Sequence, residues 1–272
     1  MKPELQRRIQ RYGWDKAAEY YENCWQEQLK PAHDLLLEVS NIQRHEHIID
    51  IAAGTGLITF RMAEKIGPLG QILATDISDE MVKIGNQLTL IGGFETVKFE
   101  RMDAEHLLCD DEKFDLATCA LGLMYFPDPD ASLAEMFRVL KPGGRAVTAV
   151  WGSRKKCGWA EIFPIVDARV NTDVCPMFFN LGESEVLKYP FENAGFKNIT
   201  LSRIETKLIY TSDEEACTAS FMGGPVAMAY SRFDEVTKEE AQKEYLKSIK
   251  PFKTENGYEI PGEFVICSGI KP

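Results

Sequence analysis

Residues 46–56 read EHIIDIAAGTG. Ile48, Ile49 and Ile51 make a short apolar run, read as a strand buried on both faces. Gly54 and Gly56 follow it, where a tight turn and close approach to the main chain need residues without a Cβ. Residues 57–66 then predict a helix, stopped by Gly67, Pro68 and Gly70. Strand, glycine turn and helix in that order open a parallel sheet. The free N–H groups of the helix start lie beside the turn, at the carboxyl end of the strand, where such sheets bind ligands.

The alternation continues outward from this unit. Strands are predicted at 71–75, 96–101, 113–120 and 145–151, and helices at 79–91 and 130–140. Ser78 reads as an N-cap, with Asp79 and Glu80 suiting the positive helix start. Lys141-Pro142-Gly143-Gly144 ends the third helix. Five strands with helices between them predict a doubly wound α/β sheet. Past Trp151 the rhythm breaks. Residues 152–180 are irregular, a helix containing Pro190 is expected at 183–194, and a strand at 196–210. Residues 211–250 read as two helical pieces, with capping boxes at Ser212/Glu215 and Thr237/Glu240. A last strand, 263–270, follows turns at Asn256-Gly257 and Pro261-Gly262 and is expected antiparallel at the sheet edge.

The 272 residues suit one or two domains. Lys and Arg number 31 against 42 Asp and Glu, and the net charge of −11 argues against a nucleic-acid track or an anionic membrane surface. No apolar run approaches the ~20 residues of a membrane span. The opening MKPELQRRIQRYGW has no apolar stretch of the secretory kind, so a cytoplasmic protein is expected. Seven cysteines, an odd number without a Cys-x-x-Cys pair, read as reduced thiols. Oligomeric state is left open.

Two ligand types compete for the glycine turn. A dinucleotide loop wants a third glycine at position 59, which is Thr59. Asp50 at the strand's end would repel a pyrophosphate and attract a cation such as the sulfonium and ammonium of S-adenosylmethionine. Asp76 ends the second strand, twenty residues past Gly56, where a carboxylate accepts from the ribose diol of either cofactor. Asp103, after the third strand, reads equally as an acceptor for an adenine amino group or as a helix cap.

The stretches IIDIAAGTG (48–56), ATDIS (74–78), ALGLMYFPDPDASLAEMFRVLKPGG (120–144) and PGEFVICSGIKP (261–272) resemble class I S-adenosylmethionine-dependent methyltransferases. They are most similar to the ubiquinone/menaquinone-biosynthesis-like (methyltransferase type 11) branch. The resemblance implies a mostly parallel, seven-stranded Rossmann-like sheet with its last strand antiparallel and with helical lid insertions. It divides the chain into an N-terminal lid (1–40), a cofactor core (41–151), and insertions with C-terminal strands completing the same sheet (152–272). It also implies that Asp50, Ala52, Gly54 and Gly56 shape the methionine end of the site and that Asp76 binds the ribose. Ile77 and Met81 would line the adenine, Asp103 and Ala104 would address its amino edge, and Ala120 and Leu121 would form the floor toward the acceptor.

The acceptor is expected to be a small apolar or aromatic molecule. Tyr12, Trp14, Tyr20, Tyr21 and Trp25 crowd the N-terminus, and the family's use of such segments makes them a lid. Tyr21, Tyr125, Trp151, Phe178, Phe179 and Met222 are the expected acceptor contacts. No general base stands out among His33, His45, His47 and His106; Tyr125 is the one candidate for orienting a hydroxyl. His45-x-His47 lacks a third ligand, so no metal is expected. Alternatives are an arsenic or thiol methyltransferase using Cys24, Cys157, Cys175 and Cys217, a nicotinamide-dependent oxidoreductase, or a non-catalytic cofactor-binding scaffold.

Overall fold

A computed structural model describes residues 2–171, 175 and 177–272. Helix α1 (Pro3–Ser40) begins the chain and is continuous over 38 residues, a length of about 57 Å at ~1.5 Å per residue. Its buried residues Leu29, Ala32, His33, Leu36 and Leu37 recur at helical spacing, which lays the C-terminal half on the sheet. Asn41 ends it in the left-handed conformation.

The core alternates as the sequence predicts: β1 (His47–Ile51), α2 (Thr59–Ile66), β2 (Gln71–Asp76), α3 (Asp79–Gly92), β3 (Val97–Arg101), β4 (Phe114–Ala120), α4 (Pro129–Val139) and β5 (Leu140–Trp151). Ser78 caps α3, its hydroxyl accepting from the Met81 N–H at 3.1 Å. The second half holds α5 (Ile162–Asp167), α6 (Lys188–Ala194), β6 (Lys197–Tyr210), α7 (Asp213–Phe221), α8 (Ala227–Tyr230), α9 (Glu235–Ile249), β7 (Lys253–Thr254) and β8 (Gly257–Ile270).

All eight strands form one sheet in the order β3-β2-β1-β4-β5-β8-β6, with β7 paired to β8. Strands β1 to β5 are parallel, and β8 is antiparallel to both β5 and β6. The fold is therefore the mostly parallel α/β sheet expected, with an antiparallel end. The order reverses between β1 and β4, so the loops leaving these two strands part there and open a crevice.

Several local expectations need correction. The last strand is not at the edge; β8 inserts between β5 and β6. Pro261-Gly262 is no turn but lies inside β8, at a level where β5 no longer pairs with it. A proline is tolerated there because its missing N–H faces no ladder partner. Helix α6 starts only at Lys188, which puts Pro190 in the first turn, where it costs no hydrogen bond. The segment after β6 forms three helices, not two. Ser212 caps α7 as expected, but Asp234, not Thr237, caps α9 by accepting from the Thr237 N–H at 2.8 Å.

Candidate active site

The crevice between β1 and β4 is a cleft with about 730 Å³ of space between and above its walls. Two backbone features shape it. Ala52 (φ 54°) and Leu121 (φ 63°), the residues just past β1 and β4, both adopt the left-handed region, a strained state for a residue with a Cβ. Between them sits Gly122, where a Cβ would come within 2.4 Å of the Ala52 Cβ. The loops after the two strands thus touch because residue 122 has no side chain. Gly54 (φ +59°) lines the cleft, and a Cβ there would lie 3.3 Å from the Tyr21 ring.

Asp76 ends β2 at the cleft wall. Its carboxylate accepts the Gly54 N–H and the Ser78 N–H, each at 2.9 Å. Burial nevertheless pushes its pKa up to about 6, because the charged form loses water that the amides of Ser78, Gly54 and Ile77 do not fully replace. Ile77, Met81, Met102 and Ala104 provide an apolar wall beside it. Asp103 also lines the cleft; its carboxylate accepts from the Glu105 N–H at 3.0 Å and pairs with Arg7 Nε at 3.0 Å. Arg7 reaches Glu105 as well, Arg11 pairs with Asp79, and Asp15 accepts from the Ser78 hydroxyl at 2.6 Å. Three charged side chains of the core, Asp79, Asp103 and Glu105, and one helix cap, Ser78, thereby hold the N-terminal half of α1 across the cleft.

Ala52, Gly54, Asp76, Ile77, Met81, Asp103, Ala104, Ala120 and Leu121 come together on the cleft wall. Asp50 and Gly56 do not line it. Asp50 is fully buried behind the loop, accepting from the Thr59 hydroxyl at 2.6 Å and the Thr118 hydroxyl at 2.8 Å, with its pKa pushed to about 6 by burial. Gly56 faces the Phe60 and Phe99 rings, where a Cβ would approach within 2.6 Å and 2.8 Å. Its role is to let α2 and β3 close behind the turn.

A second, smaller space of about 350 Å³ adjoins the cleft. Trp14, Tyr21, Leu121 and Tyr125 belong to the walls of both, and Trp25, Leu29, Trp151, Trp159 and Pro225 complete the chamber. The rings form a connected set: Trp14 meets Tyr125 edge-on at 5.2 Å, and Trp159 meets Trp151 at 4.8 Å. Of the expected acceptor contacts, Tyr21, Tyr125 and Trp151 line this chamber, and Phe178, Phe179 and Met222 do not. Phe178 and Phe179 are buried behind the wall, packed on Trp159 and Phe163. Met222 lies with Tyr20 on a separate groove between α1 and α8. Gly223-Gly224-Pro225 turns Pro225, rather than Phe221 or Met222, toward the chamber. Tyr12 is exposed.

Sequence reading missed Arg7, Gln10 and Glu105, which also line the cleft. The signal was available for the first two. Arg7, Gln10, Trp14 and Tyr21 are spaced by three, four and seven, one stripe of a helix. The histidines take no part: His45 and His106 are exposed, and burial drives the His33 pKa down to about 4. Among the described residues, no group of three or more His, Cys, Asp or Glu is placed to hold a metal.

The ubiE/COQ5 methyltransferase family matches residues 27–161. A ubiquinone/menaquinone biosynthesis C-methyltransferase UbiE of Pseudomonas putida is 30% identical over 188 residues, covering 64% of this chain and 73% of the relative. The Teredinibacter turnerae UbiE is 41% identical over 175 residues, covering 59% and 70%. The chain belongs to the ubiE/COQ5 methyltransferase family. Among solved structures, a Bacillus halodurans protein provisionally named a methyltransferase shares the fold at a TM-score of 0.64 and 20% identity, over 88% of this chain and 98% of that one. Geranyl diphosphate C-methyltransferase from Streptomyces coelicolor, solved with S-adenosyl-L-homocysteine, shares it at 0.55 and 12%, over 89% and 79%.

This methyltransferase uses S-adenosylmethionine, and membership of the family sets aside the nicotinamide and scaffold alternatives. The cleft fits that cofactor on its own terms. It offers a buried carboxylate at its wall, a glycine turn, and an apolar wall beside them.

Two outcomes follow from the buried carboxylates. If ribose hydroxyls donate to the charged form of Asp76, affinity for S-adenosylhomocysteine should fall as pH drops through about 6. Calorimetry between pH 5 and 7.5 reads this directly. Asp76→Ala should flatten the profile and cost about 1.5–3 kcal/mol of affinity. Asp50 carries the stability signature. Its folded pKa, about 6, lies above the ordinary 3.8, so ionising it destabilises the fold increasingly from pH 3.8 to 6 and by a constant amount above. Asp50→Asn removes the charge, keeps one carbonyl oxygen to accept from a threonine hydroxyl, and reverses the other contact, its amide N–H donating to the second hydroxyl oxygen. Its denaturation midpoint should exceed the parent's at pH 7.5, by about 2–3 kcal/mol of stability, and match it near pH 4.

Proposed function

We propose that the protein methylates a small, uncharged, planar aromatic acceptor held in the chamber beside Tyr125. The observation that carries this reading is the chamber wall: nine residues, five of them tryptophan or tyrosine rings from Trp14 to Trp151 and a sixth from Trp159, with no charged side chain among them. A charged acceptor would lose its hydration there without a partner.

Within this reading Asp76 holds the ribose hydroxyls. Ala52 and Gly54 shape the methionine end, with Asp50 and Gly56 supporting them from behind. Ile77, Met81 and Ala104 flank the adenine, Asp103 takes its amino edge, and Ala120 with Leu121 forms the floor toward the acceptor. Residues 1–40 act as the lid on a core of 41–151, and 152–272 supplies the far wall through Trp159 and Pro225. The cofactor, when bound, supplies an electrophilic methyl group on a sulfonium.

The chain's own part is to bind, align and exclude water. Burial raises the phenol pKa of both Tyr21 and Tyr125. Both stay protonated at neutral pH, so they serve as hydrogen-bond donors and orienting groups rather than as bases. An acceptor nucleophilic without help from a protein base suits this wall. The thiol reading has little behind it: burial pushes Cys24 to about 11 and Cys157, Cys175 and Cys217 to about 12, which leaves them protonated.

Incubation with methyl-labelled S-adenosylmethionine and a panel of phenols, quinols, aryl carboxylates, aryl phosphates and cationic arylamines tests the reading. Label should enter the neutral aromatics. Label confined to the charged compounds would overturn it.

A further inference from the structure

Trp159 stands apart among the chamber's polar groups. Its side chain is 4% exposed, and its Nε1 is buried with no hydrogen-bond partner among the described residues. The contrast with its neighbour is direct. Trp25, on the same wall, donates its Nε1 to the Gly223 carbonyl at 2.8 Å. Buried indole N–H groups ordinarily find such a partner, because leaving one unpaired forfeits the water it gave up.

Nothing about the position of Trp159 is loose enough to make this an accident of mobility. The Gly158 N–H donates to the Pro261 carbonyl at 2.9 Å, and the indole is packed against Trp151, Phe163, Phe178 and Phe179. The preceding residues are tied to Glu263, which is 1% exposed, accepts the Ser153 N–H at 3.0 Å and pairs with Lys156 at 2.9 Å. The ring is fixed by packing, and the segment that leads to it is held by a buried carboxylate. Its Nε1 is left without a partner on a residue of a wall that also carries the indoles of Trp14, Trp25 and Trp151 and the phenols of Tyr21 and Tyr125.

We infer that the Trp159 N–H is the specificity-determining donor of the acceptor chamber, and that it receives an oxygen substituent on the aromatic acceptor. A hydroxyl, phenolate or carbonyl oxygen satisfies it; a methyl or hydrogen at the same place leaves it unpaired. Discrimination of this kind is steep, because the wrong ligand buries a polar group without a partner. The inference rests on the reading of the chamber as the acceptor site.

The probes are 1-naphthol and 1-methylnaphthalene, nearly equal in shape, titrated by tryptophan fluorescence against the protein saturated with S-adenosylhomocysteine. Apolar burial alone favours the methyl compound. The expected result is the reverse, with 1-naphthol at least tenfold tighter. Trp159→Phe keeps an aromatic ring and removes the donor. It should bring 1-naphthol down to the level of 1-methylnaphthalene, while 1-methylnaphthalene and S-adenosylhomocysteine affinities stay within twofold. Equal binding of both probes to the parent protein, or a naphthol preference that survives in Trp159→Phe, overturns the inference and leaves the chamber as the acceptor site. Failure of both probes to bind the parent overturns the chamber reading together with the inference.

Discussion

The contact between Ala52 and Gly122 is the constraint on which the site depends. Strands β1 and β4 are neighbours in the sheet, yet their chains must diverge at the carboxyl end to leave a crevice. They do so through left-handed backbone at Ala52 and Leu121, and residue 122 closes against Ala52 only because it lacks a side chain. Backbone strain at two residues, each of the order of 1–3 kcal/mol, persists because the surrounding sheet over-determines it. Leu121 then faces both the cofactor cleft and the aromatic chamber. A shift of this pair would alter both spaces together.

The acidic groups around that contact divide their work. Asp50 is enclosed and bonded to two threonines, so its charge acts on the loop from behind. Asp76 is buried but borders the cleft, and Gly54 and Ser78 give it two amide donors. Both carry a desolvation cost in the free protein, visible as raised pKa values. Only Asp76 stands where a ligand's hydroxyls can relieve that cost. Helix α1 adds a third arrangement, since Arg7 joins it to Asp103 and Glu105 at the far side of the same cleft. No helix among the described residues is long and apolar enough to cross a membrane.

The core of the fold was legible because its signals are local. The apolar run at 48–51, the glycines after it and the Ser78 cap each act within a few residues, and each appears where the sequence puts it. The path of β8 was not legible, since insertion between β5 and β6 is decided by long-range pairing that a turn-like Pro261-Gly262 obscures. Thr237 shows the same limit on a smaller scale: two overlapping capping patterns compete, and Asp234 three residues earlier prevails. Asp76 and Ala120 line the cleft because the strand ends fix where they stand, while Asp50 is turned behind it. Phe178, Phe179 and Met222 do not line the chamber; composition announces aromatic material without saying which ring faces a cavity and which stands behind it. Trp159 carries no sequence signal that separates it from Phe163; only the packing does.

A crystal structure of the protein with S-adenosylhomocysteine tests the central claim most directly. The account predicts both ribose hydroxyls within hydrogen-bond distance of the Asp76 carboxylate, the adenine against Ile77 and Met81, and the sulfur at Leu121 facing the chamber. A ligand whose ribose lies away from Asp76, or whose sulfur faces away from Tyr125 and Trp159, would contradict it.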